Sequence, residues 1–114
     1  MPEVSPSEAK QLIDSGAQII DVRTDVEYAA GHIPGSRHVL LAEVQSEAEG
    51  MDREKPVILY CRSGDRSAMP AEAFAASGWD AHSIAGGLEA WAAEGLELEP
   101  EGGTVAENPN LPPR

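Results

Sequence analysis

Short apolar runs alternate with amphipathic stretches along most of the chain. QIIDV, residues 18 to 22, is apolar and β-branched and reads as a buried strand. Pro56-Val57-Ile58-Leu59-Tyr60 is the clearest strand; being apolar on both faces, it belongs in a parallel sheet covered on both sides. Shorter strands are predicted over 37–40 and 80–84. Between them lie helical spacings. Ala9, Leu12 and Ile13 follow a capping box, with Ser5 as N-cap, Pro6 at N1 and Glu8 at N3, and Gly16 stops that helix. Thr24-Asp25-Val26-Glu27 is a second capping box, opening a short helix that Gly31 ends. Leu41, Val44, Ala48 and Met51 share one helical face. An alanine-rich helix is predicted over 67–77. Its start is placed at or very near Ser67, because Pro70 is tolerated only in a first turn. A last helix carries Leu88, Trp91 and Ala92 and closes at Gly95. Strands alternating with helices give an α/β class with a mainly parallel sheet. From Pro100 the sequence PEGGTVAENPNLPPR turns poor in apolar residues and rich in Pro and Gly. The expected organisation is therefore one domain over 1–99 and an acidic, Pro/Gly-rich tail over 100–114.

Composition narrows the function classes. A chain of 114 residues with 41% hydrophobic residues suffices for one self-standing core. Twenty acidic residues against eight basic ones give a net charge of −12, which argues against nucleic acid and anionic membrane as partners. No apolar run approaches a membrane span, and MPEVSPSEAK shows neither a basic nor an apolar leader region. With a single cysteine, which cannot form an internal disulfide, the expected compartment is the cytoplasm.

That cysteine concentrates the candidate chemistry. Cys61 follows the clearest strand and precedes the alanine-rich helix, in the stretch LYCRSGDRS. In open α/β sheets, ligands bind at the carboxyl ends of strands, and a helix N-terminus offers free N–H groups and partial positive charge. A tight loop with Gly64 for backbone freedom can turn several amides inward. Such a cradle favours a charged sulfur, as do Arg62 and Arg66, and a thiolate is a nucleophile. Asp65 opposes that charge unless it pairs with one of the arginines or points to solvent. Elsewhere, His32, His38, His82 and Cys61 show no metal-ligand spacing, and neither a phosphate-loop pattern nor a serine nucleophile elbow occurs. Neither metal nor cofactor is expected.

CRSGDRS closely resembles the active-site loop of single-domain rhodaneses, a sulfurtransferase family. IDVRTDVEYAAGHIPGSRHV, residues 20 to 39, resembles that family's N-terminal signature, and IAGGLEAW, residues 84 to 91, its C-terminal one. The resemblance implies a five-stranded, mainly parallel sheet with helices on both faces. It also implies that Cys61 takes a sulfane sulfur from a donor such as thiosulfate and passes it to a thiol or cyanide-like acceptor. Arg62, Ser63, Gly64, Asp65, Arg66 and Ser67 would form the substrate-binding loop. Asp21, Arg23 and Glu27 match further family positions and are expected to support the site rather than react; His32 is expected to be a turn residue. A carrier in a protein sulfur relay is the alternative. A Cys-dependent phosphatase is less favoured, because Cys61 to Arg66 spans Cys-x4-Arg, one residue short of the phosphate-holding loop of phosphatases that share this fold.

Overall fold

The computed structural model describes residues 3–100 and 103–105, apart from the side chain of Asp65. The described elements are β1 (Glu3–Val4), α1 (Pro6–Asp14), β2 (Gln18–Asp21), α2 (Asp25–Ala30) and β3 (Arg37–His38). They continue with α3 (Val44–Glu47), β4 (Val57–Tyr60), α4 (Asp65–Ala76), β5 (Ala81–Ile84) and α5 (Gly87–Ala93). Single 3-10 turns, Leu41–Glu43 and Ala48–Gly50, flank α3.

The five strands form one sheet in the order β1-β5-β4-β2-β3, with every neighbouring pair parallel. Central β4 is buried along its whole length, which explains its lack of any polar alternation. Its residues divide by the period of two. Val57, Leu59 and Cys61 pack with Val44, Ala71 and Phe74 on the α3/α4 face. Ile58 and Tyr60 pack with Ala9, Leu88 and Trp91 on the α1/α5 face. The sheet thus has helices on both faces, and Cys61 ends the central strand.

Both capping boxes exist. Ser5 accepts from the Glu8 N–H at 3.2 Å while its own N–H donates to the Glu8 carboxylate at 3.1 Å. Those bonds hold the exposed Glu8 carboxyl below its ordinary range. At Thr24 the amide and hydroxyl donate to Glu27 at 3.2 and 3.1 Å.

Two expectations need correction, and one strand escaped the pattern. Strand β1, paired Glu3 to Ser83 and Val4 to Ile84, was not read from the pattern, because two residues carry no periodicity. The stretch 41–51 is not one helix: it breaks into α3 and its flanking 3-10 turns, so Val44 is buried but Leu41 stands 43% exposed. Finally, α4 starts at Asp65 rather than at Ser67, and Pro70 is its sixth residue, beyond the first turn. Gly64, in the left-handed region at φ 100°, turns the chain into the helix. The earlier start brings free first-turn amides to the cysteine, at the cost of a proline that cannot bond back to the Arg66 carbonyl.

Beyond α5 the chain folds back over the α1/α5 face. Leu96, Leu98 and Val105 pack against that core, Glu99 and His32 exchange main-chain hydrogen bonds, and the Thr104 N–H donates to the Ala30 carbonyl. Residues 101–102 and 106–114 of the expected tail lie outside the described residues. No helix among the described residues is long and apolar enough to cross a membrane.

Candidate active site

Cys61 is fully buried where β4 gives way to the loop before α4. Three donors converge on its sulfur: the Gly64 N–H at 3.0 Å, the Arg66 N–H at 3.3 Å and the Ser67 hydroxyl at 3.6 Å. Two are backbone amides at the start of α4, where the helix has no carbonyls of its own to offer them. Their dipoles point at the sulfur and favour negative charge there. The cradle has a floor the sequence reading missed. Ser83, buried on β5, lies 2.7 Å from Ser67, hydroxyl to hydroxyl. A serine between His82 and buried Ile84 near the end of a short strand was the available signal.

The carbonyl side of the loop is gripped by α5. The Leu88 N–H donates to the Cys61 carbonyl at 2.8 Å, and the Glu89 N–H to that of Arg62 at 3.0 Å. This approach needs Gly87. At φ 58° it sits in the left-handed region, and a Cβ there would lie 2.5 Å from the Cys61 oxygen.

The charged residues fall into separate groups. Arg66 donates through both terminal nitrogens to buried Glu27, each at 2.9 Å, forming a fork. Burial alone would raise the Glu27 carboxyl, but the Arg66 fork and the Thr24 donors outweigh it and hold the group below its ordinary range. The same fork raises Arg66. Arg62 pairs with Glu89 at 3.3 Å. Asp21 and Arg23 form a second buried pair, Nη2 to Oδ2 at 2.6 Å, and Arg23 also donates to the Gly31 carbonyl at 2.7 Å. Of the three expected supporting residues, Glu27 bonds to the loop through Arg66, whereas Asp21 and Arg23 pair with each other and Arg23 braces the end of α2. Ser63 belongs to the loop by sequence, as does Asp65, whose side chain is outside the described residues.

Tyr60 was read only as a strand residue, yet it ties the sheet to the 32–36 turn. Its hydroxyl accepts from the Ile33 N–H at 3.0 Å and donates to Ser36 at 3.1 Å, and burial drives its ionisation far above the ordinary range. His32 stacks on Tyr28 and bonds through Nδ1 to the Tyr28 carbonyl. Among the described residues no His, Cys, Asp or Glu group could hold a metal ion.

The Rhodanese-like domain family matches residues 5–94. The chain belongs to the rhodanese-like domain family. It is 37% identical over 89 residues to the thiosulfate sulfurtransferase GlpE of Pseudomonas paraeruginosa, a match covering 77% of this chain and 81% of that one. Among solved structures, the rhodanese-like domain protein of Staphylococcus aureus is 33% identical with a TM-score of 0.73, covering 85% of this chain and 97% of that one. A rhodanese-related protein of Thermoplasma volcanium, 23% identical, shares the fold with a TM-score of 0.78 over 86% of this chain and 97% of its own. The rhodanese-like fold expected from the loop and its two flanking signatures is the one observed.

Proposed function

We propose that the protein is a rhodanese-type sulfurtransferase in which Cys61 carries the sulfur as a persulfide. The observation that carries this reading is the convergence of two amides and a hydroxyl on one sulfur. Amides aimed at a single sulfur suit a negatively charged sulfur centre. The reading is further supported by the sulfurtransferase relative, which points to thiosulfate as a donor.

In the first half-reaction the Cys61 thiolate attacks the outer sulfur of thiosulfate. The donor's S–S bond breaks, and sulfite leaves with the electron pair. Because Cys61 is fully buried, the loop has to admit the incoming sulfur, and the amides now meeting Sγ are placed to hold the charge on the persulfide. In the second half-reaction an acceptor thiolate or cyanide attacks the terminal sulfur and the Cys61 thiolate departs. Both terminal nitrogens of Arg66 are held by Glu27 rather than turned to a phosphate, which weighs against the phosphatase reading. It also moves Arg66 from donor binding to holding the loop in place.

Intact-mass measurement after incubation with thiosulfate tests the proposal. The expected result is a gain of one sulfur atom, removed by cyanide and absent in Cys61→Ser. An equal gain in Cys61→Ser would overturn it.

A further inference from the structure

Beside the cysteine loop, between α4 and the 41–45 segment, lies an open cleft of about 500 Å3. Its walls are Leu41, Val44, Met69, Ala73 and Phe74, with Arg66 and Gln45 as its polar members. Two of these apolar side chains face solvent heavily, Met69 at 77% and Leu41 at 43% exposure. The volume falls within the roughly 300–1,000 Å3 of small-molecule sites. Exposed apolar surface around a concave site is a mark of ligand binding.

Two observations identify the occupant. The cleft adjoins the cysteine loop at Arg66, which lines it and whose amide lies 3.3 Å from the sulfur of buried Cys61. Arg66 nonetheless brings little attraction for anions, because its guanidinium forks onto buried Glu27. An occupant therefore meets apolar walls and a neutralised ion pair, beside the loop that holds the sulfur. From this we infer that the cleft binds the sulfur acceptor, and that the acceptor is an uncharged thiol with an apolar body.

The inference rests on the persulfide reading above. The acceptor's alkyl chain lies in the cleft and its thiolate, having released its proton to solvent, attacks the terminal sulfur of Cys61–S–S⁻. A new S–S bond forms to the acceptor, the Cys61 bond to that sulfur breaks, and its electron pair returns to Cys61. The products are an alkyl persulfide and the Cys61 thiolate, with no external oxidant or reductant.

The test is a series of acceptors, ethanethiol, butanethiol and hexanethiol, with thiosulfate as donor. kcat/KM should rise roughly two- to fourfold per added methylene, the gain expected for burying each in an apolar site. Hexanethiol should exceed 6-mercaptohexanoate, because the cation that lines the cleft, Arg66, is already paired with Glu27. Ala73→Trp, at an exposed helix position, fills the cleft and should flatten the series; Met69→Gln should reduce its slope. A flat series in the parent protein, an unchanged slope in both variants, or preference for the carboxylated thiol would overturn the inference. So would concentration-dependent self-association abolished by Ala73→Trp, which would assign the cleft to a second copy. A titration with 1-hexanol, followed through the methyl resonances of Leu41, Val44, Met69 and Ala73, reads occupancy without sulfur chemistry. Shifts at these methyls support the cleft even if Cys61 forms no persulfide, and their absence overturns it even if it does.

Discussion

Glu27 is a buried carboxylate whose charge is held by the Arg66 fork and the Thr24 donors. Its folded ionisation lies below the ordinary value of 4.5, so the stabilisation is complete above about pH 4.5 and is lost as pH falls through the lower folded value. Glu27→Gln should cost about 2 kcal/mol near neutrality, the scale of hydrogen bonds to a charged group. It should also shrink the loss of melting temperature between pH 5 and pH 3; a parent-like acid limb in the variant would remove Glu27 from that role. Ser83 poses a finer question. Its hydroxyl touches Ser67 rather than the sulfur, so it is a positioning residue. Ser83→Ala should slow alkylation of Cys61 by iodoacetamide at neutral pH several-fold while moving the melting temperature little, and Ser83→Thr should restore the rate. Equal losses in both variants would mean the strand needs a serine only for packing. The site was legible in part. The loop announces itself because a cysteine, a glycine and two arginines sit between a strand and a helix. The partners of those arginines were not legible, since Glu27 and Glu89 come from other elements and only the fold brings them there.

At the scale of elements, the site exists because the starts of α4 and α5 meet the end of β4. The first supplies amides to the sulfur and the second supplies amides to the carbonyls behind it. Gly87 is where they come closest. Gly87→Ala should push the loop away from α5, lower the melting temperature by several degrees and reduce sulfur transfer more than tenfold. Gly16→Ala, where a Cβ meets nothing within 4 Å, measures the cost of a positive φ by itself. If the two variants lose transfer activity equally, the close approach at Gly87 is not what organises the loop. The capping boxes and apolar runs made most of the elements legible, because they are local signals. The start of α4 was misread for a physical reason: local rules place Pro70 in a first turn, whereas the sulfur cradle requires the helix to begin earlier. β1 escaped because its two residues are specified by pairing to β5, a contact remote in sequence.

The whole molecule sets the field that a donor must cross. The chain carries −12, and the two arginines beside the cysteine are each paired with a glutamate. Local positive charge therefore does little to offset the repulsion of a dianion such as thiosulfate. Exposed charges are screened over a Debye length that falls from about 30 Å at 0.01 M salt to about 8 Å at 0.15 M. The second-order rate of Cys61 with thiosulfate should therefore rise several-fold across that range, whereas an uncharged polysulfane donor should react at a nearly constant rate. The comparison of the two donors matters, because an effect of salt on the protein itself would move both. Removing Glu89 supplies the converse: Glu89→Gln takes one negative charge away from the mouth of the site beside Arg62, so the thiosulfate rate at low salt should increase and its salt dependence should weaken. Stopped-flow measurement of single-turnover persulfide formation isolates this step from acceptor chemistry. A thiosulfate rate that falls with salt in the parent protein would mean that the mouth of the site presents net positive potential despite both ion pairs. Arg62 would then be the donor-binding cation, and the backbone amides would stabilise the persulfide only after it forms.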